Sequence, residues 1–468
     1  MYQKAAVNKS SLFYVHYRIL FNHIIANSLY SNKKIYQVTY PIFLTLIAQN
    51  IVNVTDTAFL GRVSEVALGA SAIGGVFYIA IYFVGFGFSQ GAQILIARRN
   101  GEKKYAEIGP IFNNALIFNF LIATLIFMLS VLFIPDLMRY LVHSDHIYEA
   151  SVEFLNWRIY GFFFSFLNVV FRAFFVGITR TRVLTISAVI TAATNIILDY
   201  LLIFGHFGFP QWGIAGAAIA STAAEATTLI YLIAVTLKQD DKHIFRLFKL
   251  NKIDFQTIGK ILNLSIFIMF QYFISISTWF MFFIFIERLG ERPLAVTNIG
   301  RSLYILLMIP GSALSTTVNT LVSNMIGEGH KERVIPFMMK ILKIVLLILL
   351  PLMVFTFAFP ELFARIYTNN PELVAATIPT LRVVSVAMVF CGLGSILFSV
   401  ISGTGNTKSA FIIEFITLFF YIVYVYYTAV ILRTPVEIVW MSEFVYWTII
   451  GLMAYWYLLK GNWRKKEI

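Results

Sequence analysis

Hydrophobic residues run through this chain in long unbroken stretches, and charge is confined to short segments between them. Residues 66–97 contain no Asp, Glu, Lys or Arg, and the same holds for 108–135, 261–286, 302–327, 344–360 and 383–407. A helix needs roughly 20 apolar residues to cross the hydrocarbon of a bilayer, so these runs read as membrane spans. Strands of a membrane barrel alternate inward and outward over about ten residues. The runs here are too long and too continuously apolar for that alternative. The pattern predicts an all-α integral membrane protein of twelve helices, near 38–60, 67–97, 111–135, 153–177, 183–204, 213–237, 258–286, 294–325, 336–359, 373–403, 408–432 and 437–459.

Composition agrees. The chain is 59% apolar and 13% charged, whereas a soluble domain carries about 25% charged residues. Its net charge of +13 would suggest nucleic acid in a soluble protein. Here the basic residues fall in alternate loops: Lys4, Lys9, Arg18, Lys33 and Lys34 before the first span, Arg98, Arg99, Lys103 and Lys104 after the second, Lys238 to Lys260 between the sixth and seventh, and Lys460 to Lys466 at the end. The opposite loops hold Asp136, Asp145, Glu149 and Glu153. Cytoplasmic loops collect Lys and Arg, so both termini are expected in the cytoplasm of a multi-pass inner-membrane protein, with membrane lipid rather than nucleic acid as partner. Residues 1–35 show no cleavable signal, and 12–25 read as a short interfacial helix. The single cysteine, Cys391, excludes an internal disulfide, and the seven histidines show no metal spacing. GTGNTK at 403–408 lacks the glycine spacing of a phosphate loop and reads as a helix-end turn.

The chain also repeats itself at an offset of 226 residues, as from Arg62 to Arg288. Glu65, Gly74, Tyr78, Gly85, Gly101, Glu102, Gly177 and Thr181 recur as Glu291, Gly300, Tyr304, Gly311, Gly327, Glu328, Gly403 and Thr407. Each repeat holds six predicted helices. An even number returns the chain to its starting side, so the halves share one orientation and a pseudo-two-fold along the membrane normal relates two six-helix bundles. The expected organisation is an extension over 1–35, a first bundle over 36–237, a linker over 238–257, a second bundle over 258–460 and a basic tail over 461–468.

The halves differ in one telling way. Between Lys34 and Arg62 the one charged residue is Asp56, and between Arg182 and Glu225 it is Asp199. Their repeat partners are Phe282 and Val425, while Asn195 maps to Tyr421 and Asn53 to Trp279. Gln49, Asn53 and Asp56 form one stripe of the first helix, and Asn195 and Asp199 stand one turn apart on the fifth. An intramembrane aspartate is expensive and functional by default. Two of them facing each other favour uptake of a proton or a sodium ion, and Asn195 and Ser221 add neutral oxygens. Glu225 is a candidate neighbour of this site. Glu414 and Glu443 lie near predicted helix ends, where they can snorkel, and Arg301 is placed at an outer mouth. Pro41 sits too near the predicted start of its helix to act as a hinge.

Certain stretches carry a family resemblance. PIFLTLIAQNIVNVTDTAFLG at 41–61, NIILDYLLIFG at 195–205, GIAGAAIAS at 213–221, IARRNGEKK at 96–104 and GITRTR at 177–182 resemble the multidrug and toxin extrusion (MATE) transporters. The resemblance extends over about 36 to 460. It implies antiport: a proton or sodium ion enters while an organic, often cationic, compound leaves by alternating access. It also implies a coupling site of Asp56, Asn195, Asp199 and Ser221, any Na+ being held there. The missing acid in the tenth helix favours the DinF-like branch. Candidate substrate contacts are Gln49, Asn53, Asn168, Gln271, Trp279 and Tyr304. No catalytic constellation or cofactor motif is present, so the expectation is a monomeric transporter of small molecules and not an enzyme. A lipid-linked glycan flippase of similar build is the alternative; it would want a cationic central cavity, and the central charges in the sequence look acidic.

Overall fold

The computed structural model describes residues 30–239, 242–249 and 253–466; the helix expected over 12–25 lies outside them. Among the described residues there is no strand. Eleven of the described helices are long and apolar enough to span a bilayer, and a bent pair, counted as one span, brings the number to twelve. The first half contains α1 (Asn32–Val63), α2 (Glu65–Gly101), α3 (Tyr105–Leu141), the bent pair α4 (Asp145–Arg158) and α5 (Gly161–Gly177), α6 (Arg182–Phe204) and α7 (Gly213–Lys238). A single turn, α8 (Lys242–Phe245), lies in the connection. The second half contains α9 (Phe255–Glu287), α10 (Glu291–Gly327), α11 (Val334–Ala358), the short α12 (Pro360–Tyr367), α13 (Pro371–Gly403), α14 (Thr407–Val425), α15 (Val436–Trp440) and α16 (Ser442–Lys460).

Packing follows the repeat. α2 lies against α5 as α10 lies against α13, α1 against α6 as α9 against α14, and α6 against α7 as α14 against α16. Large apolar side chains stay exposed on the outside of both halves, among them Leu132, Phe133, Leu347, Val354, Phe415 and Phe419. Such a surface is stable only where lipid covers it.

Two helices depart from the sequence expectation. α1 begins at Asn32, capped by Ser31, whose hydroxyl accepts from the Lys34 amide at 3.2 Å. Pro41 therefore lies inside the helix and not near its start. Proline has no N–H to offer the preceding turn, and Thr181 supplies the missing donor: its hydroxyl donates to the carbonyls of Gln37 at 3.3 Å and Val38 at 3.1 Å. The fourth span, expected as one helix, bends by 52° between Arg158 and Gly161. A Cβ at Gly161 would stand 2.2 Å from an Arg158 guanidinium nitrogen and 2.7 Å from a Glu225 carboxylate oxygen. Glycine at this point leaves room for a buried ion pair beside the break.

The halves seal against one another at the end of the bundle that carries the basic loops. α2 is buried almost continuously from Gly87 to Arg98, and α10 from Thr317 to Ile326. Arg98 donates to the Thr404 carbonyl at 3.1 Å, and Asn324, the repeat partner of Arg98, donates to the Gly177 carbonyl at 3.1 Å. Asn100 donates to Asn324 at 2.6 Å and Gln93 to Thr320 at 3.0 Å. The backbones touch here. A Cβ at Gly101 would meet the Asn324 carbonyl oxygen at 2.0 Å, and one at Gly327 would meet that of Arg98 at 2.2 Å. The two repeat-related glycines thus let the helices cross reciprocally, each under its partner's carbonyl.

Valine at position 327 should open this seal, because overpacking a tight contact costs about 1–3 kcal/mol, or roughly tenfold in the closed population. In a Cys391→Ser background, a cysteine replacing buried Ala97 should then react about tenfold faster with an impermeant maleimide added at the basic face. Equal rates with and without Gly327→Val would refute this account of the closure.

Candidate functional site

α1, α6 and α7 converge inside the first bundle. α1 is pinned to α6 by hydroxyls of each that reach the backbone of the other: Thr45 donates to the Leu184 carbonyl at 3.2 Å and Thr185 to that of Pro41 at 3.3 Å. This docking turns Asp56 toward the buried face of α6, where Asn195 and Asp199 follow one another by a single turn. The carboxyl group of Asp56 faces that of Asp199 and the side chain of Asn195. Asn195 donates in turn to the Ser221 hydroxyl on α7 at 3.2 Å. All four residues expected at the coupling site are therefore brought together. Asp56, Asn195 and Ser221 line a cavity of about 360 Å³, and Asp199 lies behind them, fully buried.

The hydrogen-bond account of this cluster does not close. Asp56 Oδ1, Asn195 Oδ1 and both carboxylate oxygens of Asp199 are buried without a donor. Two carboxylates cannot donate to each other unless one carries a proton. Buried polar atoms are normally satisfied, and an uncompensated buried charge is costly. Oxygens alone, two of the groups carboxyls, suit a proton or a hard cation such as sodium, as oxygen ligands do generally.

Beside this site stands a pair that sequence reasoning placed only in part. Arg158, at the end of α4, donates to Glu225 of α7 through its two terminal guanidinium nitrogens, at 2.6 and 3.1 Å. Its guanidinium lies 3.5 Å from the centroid of the Tyr78 ring, and the Tyr78 hydroxyl donates to Glu225 at 2.9 Å. Glu225 is thus the neighbour expected, and Arg158 lines the same cavity as Asp56. Arg158 was missed, although two arginines in the fourth span, Arg158 and Arg172, against the lone glutamate of the sixth are the signal that points to such a pair.

The six candidate substrate residues do not share one cavity. Gln49, Asn53 and Asn168 line the first-bundle cavity, where Asn168 also donates to the Glu225 carbonyl at 2.9 Å. Gln271 lines a second cavity of about 330 Å³, rich in hydroxyls. Trp279 and Tyr304 line a third, of about 580 Å³, walled by aromatic rings.

Glu414 and Glu443 do not snorkel. Both are buried inside the second bundle. Glu414 accepts from Gln271 at 3.2 Å, from Tyr446 at 3.2 Å and from Ser275. Glu443 accepts from Tyr304 at 2.7 Å, Trp447 at 3.1 Å and Tyr421 at 3.5 Å. α15 and α16 bring Glu443 inward by burying Trp440 beside it. Each glutamate has three side-chain donors, so neither shows the deficit of the Asp56–Asp199 cluster. Nor are the central charges purely acidic: Arg158 and Arg172 line the first cavity and Arg301 the third.

Comparison with known proteins places these features. The sequence model of the MatE family matches residues 41–201 and again 266–427, one match in each half. The chain is 26% identical over 459 residues to a Thermotoga maritima protein named probable multidrug resistance protein NorM, covering 93% of this chain and 94% of the relative. A Pasteurella multocida protein of the same name is 25% identical over 391 residues, 83% of each chain. The structure of a Vibrio cholerae MATE transporter, VcmN, superposes with a TM-score of 0.85 at 17% identity, covering 93% of this chain and 98% of that one, which establishes likeness of fold.

Removing one partner of a buried ion pair leaves the other uncompensated, at about 3–5 kcal/mol. Arg158→Ala should therefore lower the midpoint of thermal unfolding of the purified protein clearly, and adding Glu225→Gln should restore most of the loss. A double variant as unstable as the single one would show that the ion pair is not what holds α4 to α7.

Proposed function

The chain belongs to the MatE family, and on that premise we propose that it is a secondary antiporter that exports organic compounds, cationic ones included, in exchange for protons or sodium ions. The observation that carries this reading is the group of buried oxygens on Asp56, Asn195 and Asp199 that lack donors. Ser221 completes the cluster from α7. An arriving proton or sodium ion would remove the deficit, which makes its binding favourable.

α1 supports the coupling. It bears Asp56 at the ion site and Gln49 and Asn53 on the cavity wall. It also reaches the second half, where Thr39 donates to the Thr317 hydroxyl of α10 at 3.0 Å. One helix thus bears on the proposed ion site, the cavity and the seal between halves. A ligand shifts a conformational equilibrium only through a difference in affinity for the two states. Ion binding would draw α1 onto α6, change the cavity wall and weaken the hold on substrate.

On this reading the basic face is cytoplasmic, with both termini there, in the inner membrane, and the sealed state faces outward. The working unit is a single copy of the chain with bundles over 36–237 and 258–460 joined by 238–257, and no step calls on a cofactor or a catalytic residue. The satisfied state of Glu414 and Glu443 favours ion coupling in the first bundle alone, as in the DinF-like branch. A glycan flippase would need several cations converging on a pyrophosphate. Arg158 is committed to Glu225, and Arg172 and Arg301 face different cavities.

Reconstituted in liposomes, the wild type should export a fluorescent dye when a proton or a sodium gradient is imposed. Asp56→Asn and Asp199→Asn should each lose the gradient-driven part by about tenfold or more, the scale expected for a coupling of 1–3 kcal/mol. If sodium is the ion, exchanging choline for sodium should raise the unfolding midpoint of the wild type and not of Asp199→Asn, by ligand linkage. Wild-type export indifferent to both gradients would overturn the antiport reading.

A further inference from the structure

The third cavity holds a charge that neither the fold nor the ion site explains. Arg301 stands ten residues into α10, about 15 Å along the helix axis at 1.5 Å per residue. Its guanidinium lies over the ring of Phe283 at 5.3 Å from the centroid. Among the described residues it has no carboxylate partner. The cavity's carboxylate, Glu443, is buried, and its oxygens are occupied by Tyr304, Trp447 and Tyr421. Arg301 is half-buried and borders the open volume. An intramembrane arginine is costly unless it faces a cavity and meets a partner there.

The repeat shows that this charge is not part of the shared scaffold. The first-half counterpart of Arg301 is Gly75, which faces open space. The surroundings are those of a ligand site. The volume, about 580 Å³, lies in the usual range for small-molecule pockets, roughly 300–1,000 Å³. Trp279, Phe283, Tyr446 and Trp447 present aromatic surface, and Ile79 and Phe83 of α2 close the side facing the first bundle. A guanidinium offers a planar fork of donors that matches a carboxylate or sulfonate. Arg172, the other cavity arginine without an ion pair among the described residues, rests over Phe86 in the cavity that also holds Asp56, a carboxyl group with an oxygen that lacks a donor. The carboxylate that shares the cavity of Arg301, Glu443, already has three donors.

We propose that the aromatic cavity between the bundles binds an organic anion, with the carboxylate or sulfonate held by Arg301 and the ring system packed among Trp279, Phe283 and Trp447. The proposal deepens the efflux reading by assigning a substrate class to this cavity. It also separates charges: the substrate's anion sits in one cavity and the coupling cation in another, so the two ligands do not compete for the same groups.

The test uses the full-length protein in nanodiscs and two probes of similar shape and opposite charge, naphthalene-2-sulfonate and 2-naphthyltrimethylammonium. Binding is measured by titration calorimetry with empty nanodiscs subtracted. The sulfonate should bind the wild type more tightly than the ammonium compound. Arg301→Gln should weaken the sulfonate on the order of tenfold to a hundredfold and leave the ammonium compound unchanged or tighter, the scale of a charge-assisted hydrogen bond. Arg301→Lys, which keeps the charge and loses the fork, should fall between. Tighter wild-type binding of the ammonium compound, or a sulfonate affinity unmoved by Arg301→Gln, would overturn the proposal. Export without gradient dependence, with the sulfonate still bound through Arg301, would refute antiport and leave the anion site standing.

Discussion

Two aspartates meet inside an apolar bundle without enough donors to satisfy them, and much of the first half is arranged around that deficit. Threonine hydroxyls clamp α1 to α6 around Pro41: Thr181 reaches the Gln37 carbonyl that the proline leaves without a donor, and Thr185 reaches the Pro41 carbonyl. Asn195 and Ser221 hold the neutral side of the site. The contrast with the second half is instructive, because burial alone does not create such a site. Glu414 and Glu443 are as deeply buried, yet each has its three donors. What distinguishes Asp56 and Asp199 is unmet hydrogen-bonding capacity, which is what a small cation can supply.

The Arg158–Glu225 pair extends this logic to the scaffold. A buried pair of this kind holds two helices together only if its geometry is good and its remaining atoms are bonded. Tyr78 supplies both an aromatic face for the guanidinium and a hydroxyl for the carboxylate. The bend between α4 and α5 gives the pair its space, and Gly161 is the residue that makes the bend compatible with it. A kink, a glycine and an ion pair are one local solution. It lies beside the carboxylate cluster, so movement of α4 or α7 would be felt at Asp56.

The repeat accounts for the opposite end of the molecule. At the basic face, equivalent residues of the two halves perform equivalent tasks: Gly101 and Gly327 allow the close crossing, and Arg98 and Asn324 each reach a helix-end carbonyl of the other half. The cavities depart from symmetry, with Asp56 opposite Phe282, Asp199 opposite Val425 and Arg301 opposite Gly75. Shared structure lies at the seal, and the chemistry lies where the repeats have diverged.

The sequence by itself determined the membrane residence, the twelve spans, the repeat and the four residues of the carboxylate cluster. A bilayer makes each span predominantly apolar, so a lone Asp56 or Asp199 stands out, and helical spacing then says which residues share its face. Spacing along one helix says nothing about which face of a neighbouring helix it meets. That rotation and tilt are set by side-chain packing between distant segments, and only the tertiary structure decided it. Hence Arg158 and Glu225, 67 positions apart, were not joined in advance. Glu414 and Glu443 looked free to reach the membrane surface until Gln271, Ser275, Tyr446, Tyr304 and Trp447 were seen around them. The candidate substrate residues divided among three cavities for the same reason: polarity and depth can be read along a chain, but enclosure depends on all the helices at once.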